Sequence, residues 1–205
     1  KSKRFHNMHH VYETNAFVLR NIPQGEADAF LTLFTEELGL IRAIAQGIRY
    51  EKSKLRFGTQ NLSMCHVSLV RGKGMWRLTN ASPLESNFAN LKPEITSVIA
   101  RIFKLLERLV IGESGDNKLF SIIHSGIIFL KQNQDKENFN KELILDIEAV
   151  IVLRILNRLG YIGSTEQINF YILNDSWDGE VIEKMKEERR HALQIINSGI
   201  RESQL

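Results

Sequence analysis

Gly25 to Arg56, GEADAFLTLFTEELGLIRAIAQGIRYEKSKLR, reads as two β-strands joined at a glycine and running straight into a basic loop. Residues 28–36 (DAFLTLFTE) are rich in Phe, Thr and Leu, types that fit a pleated, half-buried surface. Residues 40–46 (LIRAIAQ) follow, and Gly39 can supply the positive φ that a tight hairpin needs. Gly47 ends the second strand. The loop after it holds Arg49, Lys52, Lys54 and Arg56 against the single acid Glu51. Alternation sets Arg42 with Leu40, Ile44 and Gln46 on one face. Ile41, Ala43 and Ala45 take the other, which suits a barrel interior. A small barrel with a basic loop on its rim is a common platform for a nucleic-acid backbone.

Outward from that stretch the chain keeps a period of two. Tyr12 to Asn21 (YETNAFVLRN) reads as a strand with Phe17 and Leu19 on one face and Ala16, Val18 and Arg20 on the other. Ile22-Pro23-Gln24-Gly25 is turn chemistry. The excursion at 48–60 predicts a helical turn around Ser53 to Phe57, with Ser53 as its cap. Leu62 to Arg71 alternates, with Cys65, Val67 and Leu69 on one side. Gly72-Lys73-Gly74 is a short loop, and Met75 to Ala81 is a fifth strand. Five short strands with one longer excursion fit a small closed barrel.

After Ser82-Pro83 the period becomes 3.6. Residues 94–111 read as a helix opened by Pro93, and Gly112 and Gly115 break it. Helices are expected over 117–131, 140–159 and 178–200, with a polar loop from Gln132 to Asn138. The helix at 140–159 is too apolar for a surface element, so a helical bundle should wrap it. The predicted class is α+β: a five-stranded barrel over 1–82, then an all-α part over 83–205.

Apolar content of 43% and a mean hydropathy of −0.19 mark a globular chain rather than a disordered one. No apolar run approaches the roughly 20 residues of a membrane-spanning helix. The opening KSKRFHNMHHVYE has basic residues without an apolar core, so no signal peptide is expected. One cysteine, Cys65, excludes an internal disulfide and a four-cysteine zinc site, and a reducing cytoplasm is the default. Residues 1–82 hold 12 Lys and Arg against 6 Asp and Glu, whereas residues 83–205 hold 15 against 18. That asymmetry points to a polyanion meeting the first part. His6, His9 and His10 have metal-binding spacing but lack a fourth ligand, so a disordered leader is expected. His66 and His124 are read as structural. No nucleophile elbow and no phosphate-binding glycine loop is present, which argues against a catalytic centre.

Several linked motifs stand in one order. They are Tyr12-Glu13-Thr14 with Val18-Leu19-Arg20, Gly25-Glu26-Ala27-Asp28, Leu31-Thr32-Leu33-Phe34-Thr35, Gly39 with Ala45-Gln46-Gly47, and Ser53-Lys54-Leu55-Arg56. In this the chain resembles the bacterial recombination mediator family RecO over residues 11–82, and more loosely over 142–164. The resemblance implies an N-terminal OB-fold and a non-catalytic DNA repair role in the cytoplasm, at the nucleoid. Such proteins bind single- and double-stranded DNA, anneal complementary strands, dock on the C-terminal tail of single-strand-binding protein, and load RecA with RecR. Many members carry a cysteine zinc site after a Gly-Tyr motif. Residues 160–176 hold no cysteine, so neither zinc nor any other cofactor is expected and that subdomain should be reduced.

Phosphate binding needs cations along a groove. Arg42, Arg49, Lys52, Lys54 and Arg56 are the first candidates, with Arg71, Lys73 and Arg77 next; the competing reading of each is an ordinary solvated charge. Tyr50, Phe57 and Trp76 are candidates for base stacking; for Phe57 and Trp76 the competing place is the core. Arg101, Lys104, Arg108, Arg154 and Arg158 are candidates for an acidic partner tail, against solvated helix faces. Two other functions remain open: an OB-fold protein–protein adaptor and an RNA-binding protein.

Overall fold

The computed structural model describes residues 10–84, 88 and 90–202. The leader residues His6 and His9 lie outside the described residues. The chain forms two compact units, one of residues 1–87 with 112–115, the other of 88–111 with 116–205.

The first unit is a closed five-stranded barrel: β1 (Val11–Gln24), β2 (Asp28–Thr35), β3 (Gly39–Ala45), β4 (Ser63–Arg71) and β5 (Trp76–Pro83), in the order β1-β2-β3-β5-β4. Neighbours are antiparallel except β3 and β5, which close the barrel in parallel through Ala43 opposite Trp76 and Ile44 opposite Arg77. The interior is filled by Val18, Leu31, Leu33, Ile41, Ala43, Ala45, Cys65, Val67, Leu69 and Leu78. On β3 and β4 these are the residues that alternation puts inside.

β1 departs from alternation. Ala16 and Val18 face the interior, but the register against β2 shifts between Val18 and Arg20, so Arg20 stands opposite Thr32 and is exposed. One extra residue reverses the phase of everything after it. The expectation that Arg20 shares a face with Ala16 and Val18 is corrected by that bulge. A second slip, between Ser68 and Leu69, lets Leu78 and Ala81 both reach the core of the barrel although they are three residues apart.

A four-residue helix, α1 (Leu55–Gly58), follows the β3 loop and packs on β4 and β5. Leu55 joins the barrel core, and a Cβ on Gly58 would press on Ala81 at 3.0 to 3.2 Å. Ser53 does not cap it: Lys54 holds the N-cap position and no side chain caps there. Thr59 Oγ1 closes the other end by donating to Leu55 O at 2.8 Å. The 112–115 segment lies on the turn between β2 and β3. A Cβ on Gly39 would overlap Ser114 O, a Cβ on Gly115 would overlap Glu37 O, and Glu113 pairs with Arg71. Gly39 also has φ +70, so glycine is required there twice over.

The second unit holds α2 (Pro93–Leu109), α3 (Asn117–Asn133), α4 (Lys141–Arg158), α5 (Glu166–Leu173) and α6 (Gly179–Glu202). Pro93 opens α2, and Asp116 and Asn140 cap α3 and α4 by accepting from Leu119 N and Leu143 N at 2.9 and 3.0 Å. α4 is buried on most of its surface, with Ile147, Val150, Ile151, Leu153, Ile155 and Leu156 in the core, as its composition predicts. α5 is an addition to the expected elements. Its eight residues bury only Ile168 and Tyr171, too little to show a helical period. Among the described residues no helix is long and apolar enough to cross a membrane.

Candidate nucleic-acid interface

Register places the candidate cations. β3 and β5 run the same way, so one end of the barrel carries the β1–β2 turn, the loop after β3 and α1. The other end carries the β2–β3 turn and the β4–β5 hairpin. At the first end Arg49, Lys52, Lys54 and Arg56 are all exposed. The loop that bears them is tied down. Asp28 Oδ1 accepts from Gly47 N at 2.8 Å, Arg49 N donates to Ala27 O at 2.9 Å, and the Arg49 guanidinium donates to Gly25 O.

Two aromatic rings stand in the same stretch. Tyr50 is 64% exposed and Phe57 69%. The Tyr50 ring lies beside Gly47, where an added Cβ would stand 3.3 Å from Cδ2. Phe57 is not a core residue because Leu55 takes the inward position. Residues two apart on a helix point about 200° apart, so α1 cannot bury both.

Between the two ends, Arg42 and Arg77 point outward on β3 and β5. Neither strand contains an acidic residue. At the far end Lys73 is exposed on the hairpin, whereas Arg71 is already paired with Glu113 and its guanidinium lies 4.8 Å from the Trp76 ring centroid. The candidates therefore do not gather on one rim. They follow the β3–β5 seam from the α1 end to the hairpin. Arg20, absent from the candidates, shares the outward row of Arg42 through Thr32; only the bulge puts it there.

Trp76 is a core residue, which corrects its candidacy for base stacking. It is 4% exposed, with Tyr12 edge-on at 5.1 Å and Arg71 over its ring. No ring face is left for a base.

The helical unit's cations are mostly committed. Arg154, offered as a partner residue, is 3% exposed. It donates to Tyr171 O at 2.8 Å, Ser176 O at 3.0 Å and Asn174 O, and lies 4.5 Å from the Trp177 ring centroid. Burial pulls its pKa down to about 10, so it remains charged at neutral pH. It closes the α5 C-terminus, and its partner role is corrected accordingly. Arg101 grips Glu148 through two bonds of 2.6 Å, and Arg158 binds Asp116 at 2.8 Å. Burial would raise the Asp116 pKa, but the Arg158 hydrogen bond and the Leu119 amide outweigh it and hold the carboxyl below its ordinary value. Lys104 and Arg108 are exposed on α2.

His66 Nδ1 lies 3.1 Å from Asn15 Oδ1, in keeping with a structural role. Among the described residues no three His, Cys, Asp or Glu side chains come together as a metal would require. Burial pushes the Cys65 thiol up to about 12, which makes it inert at neutral pH.

The family described as "Recombination protein O N terminal" matches residues 8–87, the barrel just described. The chain is 37% identical to DNA repair protein RecO of Heliobacterium modesticaldum over 153 residues, which is 74% of this chain and 52% of that protein. By these matches the chain is similar to the RecO family, most clearly over its barrel. It is 33% identical to the RecO of Alkaliphilus metalliredigens over 137 residues, 66% of this chain and 54% of that protein. To the RecO of Dehalococcoides mccartyi it is 39% identical over 83 residues, 40% of this chain and 32% of that protein. The chain spans about half the length of the first two RecO relatives.

Proposed function

We propose that this chain is a non-catalytic DNA-binding recombination mediator acting in DNA repair. Residues 1–82 bind nucleic acid and residues 83–205 form a helical domain. In this reading the barrel grips the phosphodiester backbone of single- and double-stranded DNA. Arg49, Lys52, Lys54 and Arg56 act at the α1 end, Arg42 and Arg77 along the seam, and Lys73 at the hairpin. Bringing two strands onto one basic surface lowers their mutual repulsion and promotes annealing of complementary strands. RecR and the C-terminal tail of single-strand-binding protein are the proposed partners in loading RecA, in the bacterial cytoplasm. Lys104 and Arg108, exposed on α2, are the helical cations best placed to meet an acidic tail.

One observation carries the reading: an acid-free β3–β5 seam lined with exposed cations, on a barrel that matches the RecO N-terminal family. The test is fluorescence anisotropy with labelled oligo-dT across a salt series. If about five phosphates are neutralised, log K should fall against log salt with a slope near −3.5. Complementary oligonucleotides should anneal faster with the protein present. Absence of binding at low salt, or a clear preference for structured RNA at equal salt, would remove this reading.

A further inference from the structure

The barrel's two basic surfaces differ in one respect. The seam offers charge alone, while the α1 end offers charge interleaved with rings. Arg49 precedes Tyr50 in the chain and Arg56 precedes Phe57, so each exposed ring has a cation as its neighbour. Large apolar rings exposed this far lose the stabilisation that burial would give them. These two are nonetheless held out. Leu55 occupies the inward side of α1, and the loop bearing Tyr50 is bonded to the β1–β2 turn. Tyr50 has Gly47 beside it, which leaves room for the ring without covering it.

We propose that Tyr50 and Phe57 make the α1 end selective for unpaired bases, while the β3–β5 seam holds the backbone of either DNA form. The proposal rests on the DNA-binding reading above and assigns the strand preference within it. In a duplex each base is stacked above and below, so only an unpaired strand can offer a face to a ring. Stacking tolerates any sequence because every base has a π-face, and the neighbouring cations meet the phosphates on either side. A protein partner seated on the same two rings would have no reason to discriminate between single strands and duplex.

The test uses the full chain and compares labelled oligo-dT with a blunt-ended linear duplex at several salt concentrations. Tyr50→Ala with Phe57→Ala should weaken oligo-dT binding by about tenfold per ring, leave duplex affinity within about twofold, and leave the salt slope unchanged. Tyr50→Phe with Phe57→Tyr should restore the wild-type preference. If the alanine variant unfolds, Tyr50→Leu and Phe57→Leu, which keep apolar bulk but lose the ring face, give the same comparison. Equal losses on both DNA forms, or no loss on oligo-dT, overturn the ring assignment while the DNA-binding reading stands. A wild-type chain that binds neither form overturns both.

Discussion

Cations of the barrel and of the helical unit meet different fates, apart from Arg49 and Arg71 of the barrel, which bond Gly25 O and Glu113. Among the described residues, Arg42, Lys52, Lys54, Arg56, Lys73 and Arg77 of the barrel are exposed and in no ion pair. In the helical unit Arg101, Arg154, Arg158 and Arg189 all donate to internal acceptors. All are cations, and what differs is the local supply of acceptors. A guanidinium that has exchanged water for carbonyls or carboxylates holds structure. A hydrated cation on an acid-free surface is free to neutralise a phosphate, and the counterions this releases from the nucleic acid drive binding.

Mutations can break that contrast. The largest effect belongs to Arg154→Leu, which strands the carbonyls of Tyr171, Asn174 and Ser176. Unfolding in urea should show a loss of about 3 kcal/mol from the unsatisfied carbonyls, and Arg154→Lys should recover little, since an ammonium lacks the planar fork. A loss under about 1 kcal/mol would show that these carbonyl contacts contribute little to stability. Next comes the triple reversal Arg49→Glu, Lys52→Glu and Lys54→Glu. Oligo-dT affinity should drop by about two orders of magnitude at low salt, with the salt slope shallower by about 2. Lys104→Glu with Arg108→Glu should leave DNA binding within about twofold; a larger change would extend the DNA surface to the helices. Arg42→Glu with Arg77→Glu should cost about tenfold on both DNA forms, because the seam reads backbone only.

A pH-dependent effect concerns Asp116. Its folded pKa is held below the ordinary value, so the stability it lends is fully present above the carboxylate range and is lost as pH falls through the folded value. Asp116→Asn keeps the α3 cap and should make the acid limb of a stability–pH curve shallower. Asp116→Ala should also cost about 1 kcal/mol at neutral pH, as a lost helix cap does. An unchanged acid limb in the Asn variant would show that Arg158 contributes nothing through this pair.

Much of the barrel was legible because its signals are local. β3 and β4 alternate without interruption, and Gly39 and Gly47 both take the positive φ that their positions suggest. Arg20 was misplaced because a bulge leaves no mark on composition. Phe57 and Trp76 looked alike and took different places: Leu55 fills the inward side of α1 and leaves Phe57 outside, whereas Trp76 is buried on β5 against Tyr12 and Arg71. Arg154 looked like its neighbours on an apolar helix. Its acceptors lie 17 to 22 residues further along, in a segment with no periodicity of its own.

Residues 112–115 belong to the barrel unit, yet 88–111 lie between them and the rest of it, so the chain passes from one unit to the other three times. A peptide ending at residue 87 is therefore not the barrel of the intact molecule. It lacks the strap over Glu37 and Gly39, and it releases Arg71 from Glu113. Such a fragment carries one more unneutralised cation than the whole chain, and measurements on it would overstate the attraction of the native barrel for any polyanion.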